Sequence, residues 1–113
     1  MKTENEVIFC IVNAGFGDAA MDAARSAGAG GGTVIRARGT AAQSAEKFFQ
    51  ITVQPEKEIV MIVVDASIRD AILHALYAKV GHDTPGHGIA FSMPVDAVVG
   101  IGAKKNKPQE PSK

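Results

Sequence analysis

The stretch Gly28-Ala-Gly-Gly-Gly-Thr33-Val-Ile-Arg-Ala-Arg-Gly39 decides how the rest of the chain is arranged, because it is the exit of one helix pattern and the entry to a strand. Four of the chain's twelve glycines fall in its first five residues. Backbone there is free to take positive φ and to approach a neighbouring strand or a ligand without interference from a Cβ. Thr33 to Arg38 then reads as a strand. A period of two puts Thr33, Ile35 and Ala37 on one face and Val34, Arg36 and Arg38 on the other, so both arginines share a side. Gly39 ends the strand, and Gly39-Thr40-Ala41-Ala42-Gln43-Ser44 turns small and polar, as a mobile loop does.

Working outward, Val7 to Val12 is a continuous apolar run rich in β-branched residues, as expected of a central strand covered on both faces. Asn13-Ala14-Gly15-Phe16-Gly17 breaks it. Asp18 is placed to cap a helix whose thin apolar face (Ala20, Met21, Ala24, Ala27) must pack close to a sheet, and Gly28 is a natural residue to stop it. Phe48 to Val53 and Ile59 to Val64 read as strands on either side of Pro55, which marks a bend or bulge. Ser67 and Asp70 are spaced as a capping box. Ile68, Ile72, Leu73, Leu76 and Val80 recur at helical spacing until Gly81. A polar loop, His82 to Gly88, leads to a last strand, Ile89 to Val95. Ala103 to Lys113 is Lys-, Pro- and Gln-rich and is expected to be a disordered tail. The order, β-α-β, loop, β-α-β, predicts an α+β, ferredoxin-like βαββαβ sandwich over residues 1–102, an antiparallel sheet with two helices on one face. Strands that are apolar at consecutive positions want cover on the other face too, and self-association would provide it.

Composition bounds the function. At 113 residues and 46% hydrophobic content this is one domain. Twelve basic and twelve acidic residues cancel, which removes the electrostatic case for nucleic-acid binding. With no Trp, one Tyr and five Phe there is no aromatic stacking platform for RNA either. The lone Cys10 lies in an apolar run and has no partner for an intrachain bridge, so a reducing, cytoplasmic setting is expected. The polar start, Met1 to Glu6, argues against a secretory leader, and no apolar run is long enough to insert in a membrane. No Ser/His/Asp or Cys/His arrangement and no gathered pair of carboxylates supports catalysis, so the chain does not read as an enzyme.

Together, Gly30-Gly31-Gly32-Thr33-Val34, Gly39, Pro55 through Val64, and Gly86-His87-Gly88-Ile89-Ala90-Phe91 resemble the nitrogen-regulatory PII-like signalling proteins. The similarity spans about Val7 to Ile101. It implies a homotrimer that binds an adenine nucleotide in clefts between subunits and docks a membrane transporter or enzyme through a loop, here the short segment from Gly39 to Lys47. It also implies that His82 to Gly88 cradles phosphate and that Ile11, Thr33, Gly39, Gln43, Val63, Gly86, Gly88 and Phe91 line the cleft. Where that family carries an aspartate, a lysine and two arginines, this chain has His87, Ile89, Gly100 and Gly102. Arg36 and Arg38 are the cations left to replace the lost charge, so the implied ligand is ADP, AMP, ATP or a cyclic dinucleotide. Gly86 and Gly88 around His87 are expected to free backbone N–H groups for an anion.

Each signal also has a plain structural reading. The glycine run can be a simple helix-to-strand connection, and Arg36 and Arg38 can be a solvated face paired with Glu46, Glu56 or Glu58. His74 reads as an ordinary helix residue. The alternative function is a trimeric, copper-tolerance-like ferredoxin-fold protein binding metal through His82 and His87, although a loop does not fix their spacing as a helix would.

Overall fold

A computed structural model describes residues 4–40 and 55–100 of the chain. The expected strand from Phe48 to Val53, the loop residue Gln43 and the tail from Ala103 lie outside the described residues. In chain order the elements are β1 (Asn5–Asn13), α1 (Gly17–Ser26), β2 (Thr33–Arg38), β3 (Glu56–Asp65), a short 3-10 turn (Ala66–Ile68), α2 (Arg69–Val80) and β4 (Ile89–Val95). The four strands form one antiparallel sheet in the order β2-β3-β1-β4, so β1 and β3 are central and β2 and β4 are edges. This is the expected ferredoxin-like arrangement.

The period of two sorts the central strands cleanly. Ile8, Cys10 and Val12 of β1 and Val60, Ile62 and Val64 of β3 are buried beneath the helices. They share one core with Ala20, Met21, Ala23 and Ala24 of α1 and with Ile72, Leu76 and Val80 of α2. Ile72, Leu76 and Val80 recur at the spacing that stacks side chains on one helical face. Burying each such side chain contributes about 1.5–3 kcal/mol. The expectation of burial on both faces is half met. Val7, Phe9 and Ile11 on β1 and Ile59, Met61 and Val63 on β3 are only partly covered, because both helices lie on the opposite face. Ile89, Phe91 and Met93 of β4 and Ile35 of β2 continue this open apolar face and are more than two fifths exposed.

The helix stops fall at Gly28 and Gly81 as expected, but the starts differ. Gly28, at φ +114°, is the left-handed residue that ends α1, with its N–H donating to the Arg25 carbonyl while the next amide, Ala29, reaches back to Ala24. At the start of α1, however, Asp18 is not the cap. The helix begins at Gly17, whose N–H donates to Glu58 Oε1 at 2.8 Å, so the cap comes from β3. Asp18 sits in the first turn, where an acid complements the helix dipole. Ser67 does not cap α2 either. Asp65 accepts from the Ser67 N–H at 2.9 Å and starts the 3-10 turn that precedes the helix, and Asp70 instead accepts from Arg69. Arg69 also reaches the largely buried Glu6, at 3.3 Å, which ties the start of α2 to β1. β3 starts at Glu56 rather than Ile59, because Glu56, Lys57 and Glu58 pair with Arg38, Ala37 and Arg36. Pro94 lies in β4 opposite Glu6, tolerated because an edge strand has a ladder on one side only.

Only one of the three consecutive glycines is required by packing. A Cβ on Gly32 would lie 2.8 Å from the Met61 carbonyl and 3.1 Å from Met21 Sδ, whereas Gly30 and Gly31 have nothing within 4 Å. Gly32 therefore lets β2 enter against β3 and the thin face of α1, and its two predecessors are connection.

Candidate functional site

The C-terminal ends of β1 and β2 and the N-terminal ends of β3 and β4 lie at the same end of the sheet. Asn13, the last residue of β1, ties this end together. Its N–H donates to the Gly86 carbonyl at 2.9 Å and its Nδ2 to the Pro85 carbonyl at 3.1 Å, while its Oδ1 accepts from Lys57 Nζ at 2.9 Å. One residue on, the Ala14 N–H donates to the Glu56 carbonyl at 3.0 Å. Gly39, where β2 hands over to the loop, is held by its own N–H to the Pro55 carbonyl at 2.7 Å.

The turn from Gly81 to Gly88 is internally braced. The Thr84 hydroxyl and N–H both donate to the Gly81 carbonyl, the His87 N–H donates to Thr84 and the Gly88 N–H donates to Val80. Gly86 and Gly88 are needed for close approach, since a Cβ on Gly86 would lie 3.1 Å from Val80 Cβ and one on Gly88 2.5 Å from the Val80 carbonyl. His87 takes the left-handed conformation at φ +49°. The N–H groups of His87 and Gly88 close the turn, because it is tight enough to satisfy them internally, while the Gly86 carbonyl takes the Asn13 amide.

Arg36 and Arg38 point to the helix side of β2, in register with Glu58 and Glu56. Neither forms an ion pair among the described residues. Glu58 is drawn instead to the Gly17 amide. With Lys57 and the two glutamates, the arginines line an open hollow of about 440 Å³ beside Ala14. A smaller, apolar cleft of about 140 Å³ lies between α2 and β4, with Cys10 at its base. Burial away from water pushes the Cys10 thiol up to about 11, so it is a core residue and not a nucleophile.

The residues singled out from sequence thus separate. Ile11, Gly86, His87 and Gly88 share the loop end of the sheet with Arg36, Arg38 and Gly39. Ile11 is on the open face opposite Ile89, and Phe91 stacks on Phe9 with ring centroids 5.5 Å apart. Thr33 opposes Met61 and Val63 opposes Val7, both toward the far end. At about 3.3 Å per residue, Thr33 lies roughly 16 Å along β2 from Arg38. One chain therefore does not unite them. Gln43 is outside the described residues. Sequence reasoning misses Asn13 and Lys57, and offers Glu58 only as a partner for the arginines and not for the Gly17 amide. The available signal was a polar residue closing an apolar run, and it says nothing of partners more than forty residues away. Among the described residues no three His, Cys, Asp or Glu side chains gather into a metal site, and no helix is long and apolar enough to cross a membrane.

No protein-family model matches the chain, and no curated protein sequence matches it. Solved structures do. GlnK of B. subtilis, determined as its ATP complex, superposes with a TM-score of 0.64 at 16% identity, covering 84% of each chain. Arabidopsis thaliana PII bound to citrate superposes with a TM-score of 0.64 at 21% identity, covering 98% of this chain and 97% of that one. Four antiparallel strands in the same wrap, with two helices on one face, thus give this chain the fold of the PII proteins.

Proposed function

We propose that the chain is a PII-like signal-transduction protein of the cytoplasm that binds an adenine nucleotide between subunits of a homotrimer and regulates a partner. The partner is a membrane transporter or an enzyme, reached through the segment from Gly39 to Lys47. The observation that carries this reading is the Asn13 junction, which joins the braced turn before β4 to the β3 end of the sheet from which the arm after Arg38 departs. A ligand touching either wall would bias the arm at its root, and a change in the arm's order changes what it presents to a partner.

Three further features support it. The fold is shared with a protein solved with ATP and another solved with citrate, both polyanions. Arg36 and Arg38 have no ion-pair partner among the described residues and face a hollow large enough for a phosphate-bearing group. The open apolar face needs cover, and further copies of the chain would provide it. With the His87 and Gly88 amides engaged inside the turn, Arg36 and Arg38 carry more of the anion binding, which favours ligands with fewer phosphates than ATP.

The test is a thermal-shift panel of AMP, ADP, ATP, cyclic AMP and cyclic di-AMP, with and without magnesium, beside sedimentation of the full chain. At a hundred times its dissociation constant a ligand stabilises by about 2.7 kcal/mol, a rise of roughly 10 °C or more for a domain of this size. The expected mass is three times 11.8 kDa. An unmoved midpoint across the panel, or a monomer, overturns the reading.

A further inference from the structure

The turn holds two histidines that the nucleotide reading does not use as a pair. The His82 and His87 rings lie with centroids 4.4 Å apart and planes inclined by 39°. His87 Nδ1 is 2.9 Å from the His82 carbonyl oxygen. A carbonyl only accepts, so Nδ1 carries the proton and Nε2 of the neutral ring keeps its lone pair. A backbone carbonyl orienting one ring nitrogen is the arrangement that sets up the other as a metal ligand. The ring nitrogens of His82 make no hydrogen bond among the described residues, and both side chains belong to exposed residues.

Proximity allows a shared ion. With metal–nitrogen bonds of about 2.0 Å a ring centroid sits roughly 3.2 Å from the ion, so two rings with centroids 4.4 Å apart are within reach of one ion. Among divalent first-row ions an imidazole site binds copper(II) more tightly than zinc(II). The backbone that carries the pair is braced by Thr84, by the Gly88 amide and by Asn13 from β1, so the two rings are presented from a fixed frame. His87 also occupies a left-handed position that a glycine would take with less strain.

We propose that His82 and His87 form a two-imidazole chelate for a divalent transition-metal ion, with copper(II) preferred over zinc(II). No third His, Cys, Asp or Glu gathers there among the described residues, so water completes the coordination. The inference stands apart from the nucleotide reading, and either can fail without the other.

The full chain is titrated with copper(II) and with zinc(II) in a non-coordinating buffer, and the copper-loaded form is examined by electron paramagnetic resonance. The expected spectrum is tetragonal with coupling to two imidazole nitrogens, and copper binds more tightly than zinc. His87→Asn, which keeps a side chain tolerant of the left-handed backbone, and His82→Ala each lower copper affinity at least tenfold and leave one coupled nitrogen. His74→Ala, on α2, leaves binding unchanged. Circular dichroism confirms that each variant is folded. Copper binding that survives both loop substitutions, binding that disappears with His74, or a wild-type chain that binds no copper overturns the proposal.

Discussion

Replacing Gly88 by alanine tests whether the turn before β4 is held by the contacts described. The new Cβ would lie 2.5 Å from the Val80 carbonyl oxygen, 2.9 Å from Val12 Cγ1 and 3.3 Å from the Ile11 carbonyl oxygen. Two of these are backbone atoms, one in α2 and one in β1, and cannot swing away as a side chain would. Relief requires the turn to move outward by roughly 1 Å to restore ordinary contact distances. That displacement loosens the Gly88 N–H to Val80 hydrogen bond, 2.7 Å in the native chain. Overpacking of this kind costs about 1–3 kcal/mol and the weakened hydrogen bond about 0.5–1.5 kcal/mol, together about 2–4 kcal/mol. For a domain of this size the melting temperature falls by about 4–8 °C per kcal/mol, so a drop of roughly 10–30 °C is expected. Urea unfolding followed by circular dichroism reads the same loss as a lower midpoint at unchanged slope. Gly31→Ala is the matched control, because nothing lies within 4 Å of its added Cβ. It should be neutral, or stabilising by about 0.4–1 kcal/mol through the unfolded chain. A Gly88→Ala midpoint within error of the wild type, or equal damage from Gly31→Ala, would refute the packing argument.

Two further outcomes follow from the same contacts. Glu58→Ala removes the acceptor of the Gly17 amide at the start of α1 and should lower stability by about 0.5–2 kcal/mol, with Glu58→Gln losing less because its carbonyl oxygen still accepts. A urea midpoint that does not separate the two variants would show that the cap is not made in solution. Burial raises the Cys10 thiol from 9.0 to about 11, so the folded chain keeps a proton that the unfolded chain releases. This contribution is fully present below pH 9.0 and is lost as the pH climbs toward about 11. Over that window the wild type should lose stability more steeply than Cys10→Ala, and parallel pH profiles would contradict the assignment.

The elements that could be read from the sequence are those whose side chains repeat with a period. Val7 to Val12, Ile59 to Val64 and the series Ile72, Leu76, Val80 carry their own period, and Gly28 and Gly81 announce the helix ends by chemistry that is local. The caps were misread because local spacing competes with distant donors and acceptors. Asp18 and Ser67 satisfy the sequence rule, yet Glu58 reaches α1 from another strand and Asp65 takes the Ser67 amide one turn early. Polar residues hid the start of β3, since Glu56, Lys57 and Glu58 look like a loop until Arg38 and Arg36 are set opposite them. At the candidate site the glycines of the turn were legible, but the bonds of the Gly88 N–H to Val80 and of the Gly86 carbonyl to Asn13 were not, because they depend on where α2 ends relative to β1. The approach of His82 to His87 has no period at all and follows only from the bend at Thr84 and the left-handed turn at His87.

The central position of β1 also governs how the chain must be made. Asn5 pairs with Asp65 on one side and with Val95 on the other, so β1, synthesised before both of its partners, must wait for the last of them to be fully paired. At about 5–20 residues per second, several seconds separate the emergence of β1 from the ribosome and that of β4. Until β3 emerges Val-Ile-Phe-Cys-Ile-Val has neither flank paired, and until β4 emerges one flank stays open, a sticky ribbon whose protection before the sheet closes has to come from nascent α1 or from a chaperone.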